Sequence, residues 1–142
     1  MSNLLASLLP LQLPLAIAPF LSWSDGYIIG FWLLLIFGIP FWARLEERIF
    51  RQGANTWQQI AVRSTQFGLV HLIVGIPILA GFVLIVPGFC FAWRYKFVHD
   101  RHWQRHQNSL LAQEAGVAAS TADHAVYNAI LVTLVTLTFV LL

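Results

Sequence analysis

The chain has 142 residues, 58% of them hydrophobic and only 10% charged, and its mean hydropathy is +0.73. A soluble domain of this length carries about 25% charged residues, so the composition excludes an ordinary water-solvated globule and calls for lipid around most of the surface. The net charge is +2, and the eight Lys and Arg fall four each into residues 44–63 and 94–105. These windows are too sparse and too short for a nucleic-acid surface; they fit cytoplasmic loops of a membrane protein.

In chain order, residues 4–20 are apolar but interrupted by Pro10, Pro14 and Pro19. Met1-Ser2-Asn3 lacks the positive charge that opens a signal peptide. The segment reads as a kinked span or as one lying in the interface. Residues 26–43 form a spanning candidate, near the lower length limit for a bilayer, with Pro40 as a kink at its end. A polar stretch, residues 44–59, follows. Thr56-Trp57-Gln58-Gln59 has the form of a capping box and starts the next helix. Residues 60–93 carry one charge, Arg63. As a single helix they would run roughly 50 Å, well beyond a hydrocarbon core of about 30 Å. A turn at Gly75-Ile76-Pro77 or in the region just after it is therefore expected. It would form a hairpin that returns both basic windows to one side. Residues 98–119 read as a polar connection containing His99, His102 and His106. Ser120-Thr121-Ala122-Asp123 offers an N-cap for a last helix running to Leu142. Trp23, Tyr27, Trp42, Trp57, Trp93 and Tyr95 flank the apolar runs, as interfacial aromatics do. The lone Cys90 offers neither an internal disulfide nor a zinc cluster. The expected fold is all-α: one integral membrane helical bundle over residues 1–142, with four spanning helices, or five if residues 4–22 also cross.

Ionisable side chains at membrane depth are costly and point to function. Glu46 and Glu47 directly follow the first spanning run. Glu47 and Arg51 are four apart and can pair on one helix face, which leaves Glu46 turned elsewhere. An ordinary charged helix end is the plainer alternative. His71 follows Phe67 by one helical turn inside an apolar run; it can act as base, acceptor or ligand, or merely pack helices. His124 and Asn128 share a face and could donate to a developing negative charge, or serve as interhelical glue. His102 and His106 have metal-ligand spacing, but the interleaved Arg101 and Arg105 favour a solvated basic loop. A Glu, two His and an Asn are the groups that activate water and stabilise an oxyanion, so the chain reads as an intramembrane hydrolase.

Taken together, Glu46-Glu47-Arg48-Ile49-Phe50-Arg51, Phe67-Gly68-Leu69-Val70-His71 and His124-Ala125-Val126-Tyr127-Asn128 resemble the motifs of the CAAX prenyl protease and bacteriocin-processing (CPBP, Abi) family of intramembrane peptidases. That family carries Glu-Glu-x-x-x-Arg, Phe-x-x-x-His and His-x-x-x-Asn/Asp in this order. The resemblance covers about residues 44–130. It implies an endopeptidase in which Glu46 and His71 activate water, His124 and Asn128 stabilise the tetrahedral intermediate, and Glu47 and Arg51 give support. It implies the lipid bilayer and a membrane-associated polypeptide substrate as partners, with no nucleic acid. No cofactor is expected; were zinc bound, Glu46, His71 and His124 would supply three ligands. The competing class is an inactive membrane scaffold that uses the same polar groups as interhelical hydrogen bonds. Ideal helices place Glu46 about 10 Å before a turn at Gly53 and His71 about 23 Å beyond Thr56, so a helix must tilt, break or re-enter to bring them level.

Overall fold

The structure is a computed structural model that describes residues 23–141. It contains four helices: α1 (Trp23–Phe50), α2 (Trp57–Val70), α3 (Ile78–His106) and α4 (Ser109–Leu141). Helices α1 and α2 barely meet. The packing order is α2, α3, α4, α1, each antiparallel to its neighbour.

Three helices, Gly26–Phe50, Ile78–His106 and Ser109–Leu141, are long and apolar enough to cross a membrane. Their outward faces show why lipid is needed: Phe37 is 81% exposed, Ile73 at the α2–α3 turn 84% and Phe139 72%. Water would not tolerate so continuous an apolar surface on a monomer. Of the four spans expected, three are found among the described residues. Helix α2 has 14 residues, about 21 Å of rise, too short for a hydrocarbon core of about 30 Å. It starts at its capping box and stops where Gly75, at φ +88°, and Pro77 turn the chain. Residues 4–22, and the fifth span considered for them, lie outside the described residues.

The sequence expectation also fails at residues 98–119. They form a helical hairpin rather than an irregular connection. Helix α3 runs on to His106, Gln107 takes a left-handed φ of 49°, and the Asn108 side chain accepts from the Leu111 N–H to start α4. Ser120-Thr121-Ala122-Asp123 is consequently the middle of α4, not its cap. The polar residues that suggested a loop find partners while helical. Asp123 meets Arg94, and Glu114 meets both Arg44 and Arg48. The polar stretch proposed for residues 44–59 likewise begins as helix, since α1 continues to Phe50 and carries Glu46 and Glu47.

Small residues set the helix spacing. A Cβ on Gly68 of α2 would lie 2.6 Å from the Gly81 carbonyl oxygen and 2.9 Å from the Ile85 nitrogen of α3. A Cβ on Gly116 of α4 would lie 2.9 Å from the Tyr95 carbonyl oxygen. Such close backbone approach supplies the dispersion contact that holds helices together in lipid. Trp32 Nε1–H donates to Thr133 Oγ1 at 3.1 Å between α1 and α4. The α1–α2 loop is held by Tyr95, whose hydroxyl accepts from Gly53 N–H at 3.0 Å, and by Arg63, which donates to the Gln52 carbonyl at 2.9 Å.

This order puts the C-terminal end of α1, the start of α2, the end of α3 and the start of α4 at one end of the bundle. Both basic windows lie there, as the hairpin expectation required. Cysteines introduced at Asn55 and Arg105 are therefore expected to label from the same side of a sealed vesicle. Labelling from opposite sides would refute this topology.

Candidate functional site

The chemistry-bearing side chains meet where the end of α1 crosses α4, beside the Phe67 end of α2. Glu47, Arg51 and His124 are almost wholly buried, at 0%, 0% and 1% exposure. Glu46 reaches the surface, with a side chain 32% exposed.

Glu47 and Arg51 pair as their spacing suggested, Nε to Oε2 at 3.5 Å. The contact is loose, and the three guanidinium nitrogens have no hydrogen-bond partner. The charge is supported instead by aromatic faces: the Arg51 Cζ lies 4.8 Å from the Phe67 ring centroid and 5.8 Å from that of Phe50. Arg51 lies one residue past the apolar span. Burial lowers its pKa, while the charges of Glu47 and then Glu46 act to raise it.

His124 is the centre of the cluster. Its Nδ1 is 2.9 Å from Glu47 Oε1. A carboxylate only accepts, so the Nδ1–H is the donor. Its other nitrogen, Nε2, is 3.4 Å from Glu46 Oε2. One imidazole thus stands between both adjacent carboxylates of α1, hydrogen-bonded to Glu47 and in contact with Glu46 without a hydrogen bond. The ring is fixed by stacking on Phe91 of α3, with centroids 4.5 Å apart and planes at 15°. Glu46 and Glu47 can share one imidazole because they sit on successive residues of α1, about 100° apart around the helix, while α4 lies against the groove between them.

The remaining residues are arranged less directly. His71 is half-buried in the turn after α2, and its Nδ1 lies 2.6 Å from the Phe67 carbonyl. That carbonyl takes the Nδ1–H and leaves Nε2 as the open ring nitrogen. Phe67 joins the parts: its ring centroid is 4.9 Å from that of His71, 5.4 Å from His124 and 5.6 Å from Phe50. The Phe67 ring lies between His71 and His124, and among the described residues no contact joins His71 to Glu46. Asn128 is half-buried one turn beyond His124, and Tyr127 packs on Phe91, centroids 5.8 Å apart.

His124 therefore stands between two carboxylates, with Asn128 one helical turn further along α4. This arrangement also bears on zinc. Among the described residues no three His, Cys, Asp or Glu side chains converge as a ligand set. His124 Nε2 and Glu46 Oε2 are 3.4 Å apart, a spacing that two ligands of one tetrahedral zinc would have, but among the described residues no contact brings His71 to them as a third ligand. The residues do not fit that ligand set as they stand. A rival cavity, about 530 Å³, lies between the far ends of α1 and α4, lined by Tyr27, Phe31, Leu131, Val135 and Phe139 among others. Its walls are nearly all apolar and offer no general base.

Sequence reasoning missed Phe91 and Glu114. Phe91 is one of eleven Phe in an apolar run, with nothing local to mark it as the plate under His124. Glu114 lay in the segment read as a loop. Comparison with family models, with curated proteins and with solved structures finds no match for this chain.

Proposed function

We propose that this chain is an intramembrane endopeptidase of the CAAX prenyl protease type, with the bundle end that carries the basic windows facing the cytoplasm. The observation that carries the reading is the buried His124, hydrogen-bonded to Glu47 and 3.4 Å from Glu46, whose side chain alone of the two glutamates reaches the surface. Glu46 acts as the general base. Its neighbour Glu47, held by Arg51, keeps the imidazole oriented. The proton taken from water is shared between Glu46 and His124 Nε2. His71, whose Nε2 is open, assists in holding the water. The attacked peptide carbonyl becomes a tetrahedral oxyanion, and Asn128 is the amide donor nearest in register to receive it. The same water proton is then available to the leaving amine.

A second reading rests on the burial itself. Glu47, Arg51 and His124 tie α1 to α4, and Arg44 and Arg48 clasp Glu114 between the same helices. A scaffold would need no more than that. Incubation of the purified full chain in detergent with a lipid-anchored peptide, followed by mass spectrometry of the products, separates the two. The peptidase reading predicts a single new peptide bond broken, with activity unaffected by a zinc chelator and no stoichiometric zinc by elemental analysis. Cleavage lost to the chelator and restored by metal would overturn the metal-free mechanism. No cleavage of any anchored peptide would leave the scaffold.

A further inference from the structure

We infer that the exposed face of α3 formed by Trp93, Phe97, Arg101 and Arg105 binds the phosphate headgroup of an anionic glycerophospholipid. The four residues are spaced by four and form one stripe along the helix. Trp93 and Phe97 are 52% and 39% exposed, with ring centroids 6.0 Å apart. The Arg101 guanidinium carbon lies 4.1 Å from the Phe97 ring centroid, so an aromatic face already holds the fork in place.

Charge accounting singles out this stripe. Among the described residues, Arg44 and Arg48 face Glu114, Arg51 faces Glu47, Arg94 faces Asp123 and Lys96 faces Asp100. Arg63 is turned to a backbone carbonyl. Arg101 and Arg105 are the cations left without a protein carboxylate or carbonyl, and both are exposed.

Depth selects the partner. Helix α3 enters its apolar stretch at Ile78. At helical rise Phe97 lies about 29 Å along the axis, Arg101 about 35 Å and Arg105 about 40 Å. A hydrocarbon core of about 30 Å ends near Phe97, and the headgroup layer covers the next several ångströms on that side. The rings thus meet acyl chains while the Arg101 fork lies at phosphate depth and Arg105, a few ångströms further out, reaches back to it along a side chain directed toward the helix N-terminus. A zwitterionic headgroup offers the same phosphate but cancels its charge, so the site discriminates for net negative lipid.

Each basic residue near an anionic headgroup is worth about a fivefold change in affinity, and the pair roughly thirtyfold. Native mass spectrometry of the full chain in neutral detergent, titrated with phosphatidylglycerol or phosphatidylcholine of the same acyl chains, reads this directly. Phosphatidylglycerol should be retained and phosphatidylcholine lost under the same activation. Arg101→Gln with Arg105→Gln should weaken phosphatidylglycerol binding roughly thirtyfold, whereas Arg63→Gln, at the same end of the bundle, should leave it unchanged. Equal retention of the two lipids by the unaltered chain would overturn the inference without any variant. So would an unaltered preference in the double variant, or an equal loss in Arg63→Gln, which would make the preference one of net charge alone.

Discussion

Replacing Arg51 by alanine is expected to destabilise the protein by about 3–5 kcal/mol, the cost of breaking a buried ion pair from one side. The guanidinium and its partner Glu47 are both fully buried. Without Arg51, Glu47 keeps only His124 against its charge. The Phe67 and Phe50 rings also lose the cation they flank. Because the pair is loose and its guanidinium nitrogens make no hydrogen bonds, removing both partners is milder. The Glu47→Met/Arg51→Met double variant should recover part of the loss, as apolar replacements of buried pairs do, the remainder being the cost of about 1–3 kcal/mol for the His124 Nδ1–H left without its acceptor. Thermal unfolding in detergent, followed by circular dichroism, measures both. An Arg51→Ala midpoint equal to that of the unaltered chain would show that the pair contributes nothing.

The second large effect falls on His124. His124→Ala removes a ring packed between Phe91 and Phe67 and the Nδ1–H that serves Glu47. Loss of a packed ring costs about 3–5 kcal/mol in aromatic-to-alanine substitutions, and an orphaned buried acceptor about 1–3 more. His124→Phe should restore the stacking and much of the stability, but not the imidazole nitrogen that faces Glu46. On the peptidase reading both variants lose cleavage by roughly 10²–10⁴. The two losses therefore separate: stability returns with phenylalanine, whereas activity does not. A His124→Phe protein that cleaves normally would remove the imidazole from the mechanism.

How much of this was legible beforehand depends on the range of the interaction. The capping box at Thr56, the Gly75–Pro77 turn and the Glu47–Arg51 pair are local patterns, and each stands where the sequence put it. The membrane character followed from composition alone. The two errors in the C-terminal half share one cause. Residues 98–119 look like a loop because they are polar, yet charge does not end a helix when a neighbouring helix supplies the counter-charge. Glu114 meets Arg44 and Arg48 across nearly half the chain. Asp123 looked like a first-turn acid for the same reason and instead pairs with Arg94. Helix α2 was counted as a span because its apolar run is continuous with that of α3, and only the position of the turn makes it short. Within the site, spacing marked Glu46, Glu47, His71, His124 and Asn128 as candidates. It could not say that one imidazole would stand between both glutamates, since that depends on how α4 settles against α1. The Phe91 plate under His124 carries no local signature.

The most direct measurement is the cleavage rate of Glu46→Gln. The substitution keeps shape and hydrogen bonding but removes the carboxylate base, at a side chain that is 32% exposed and makes only the 3.4 Å contact to His124. It should leave the unfolding midpoint close to that of the unaltered chain. The rate of cleavage of a lipid-anchored peptide at saturating concentration should fall by roughly 10²–10⁴. Cleavage by a folded Glu46→Gln protein at the unaltered rate would contradict the assignment of this cluster as a proteolytic site.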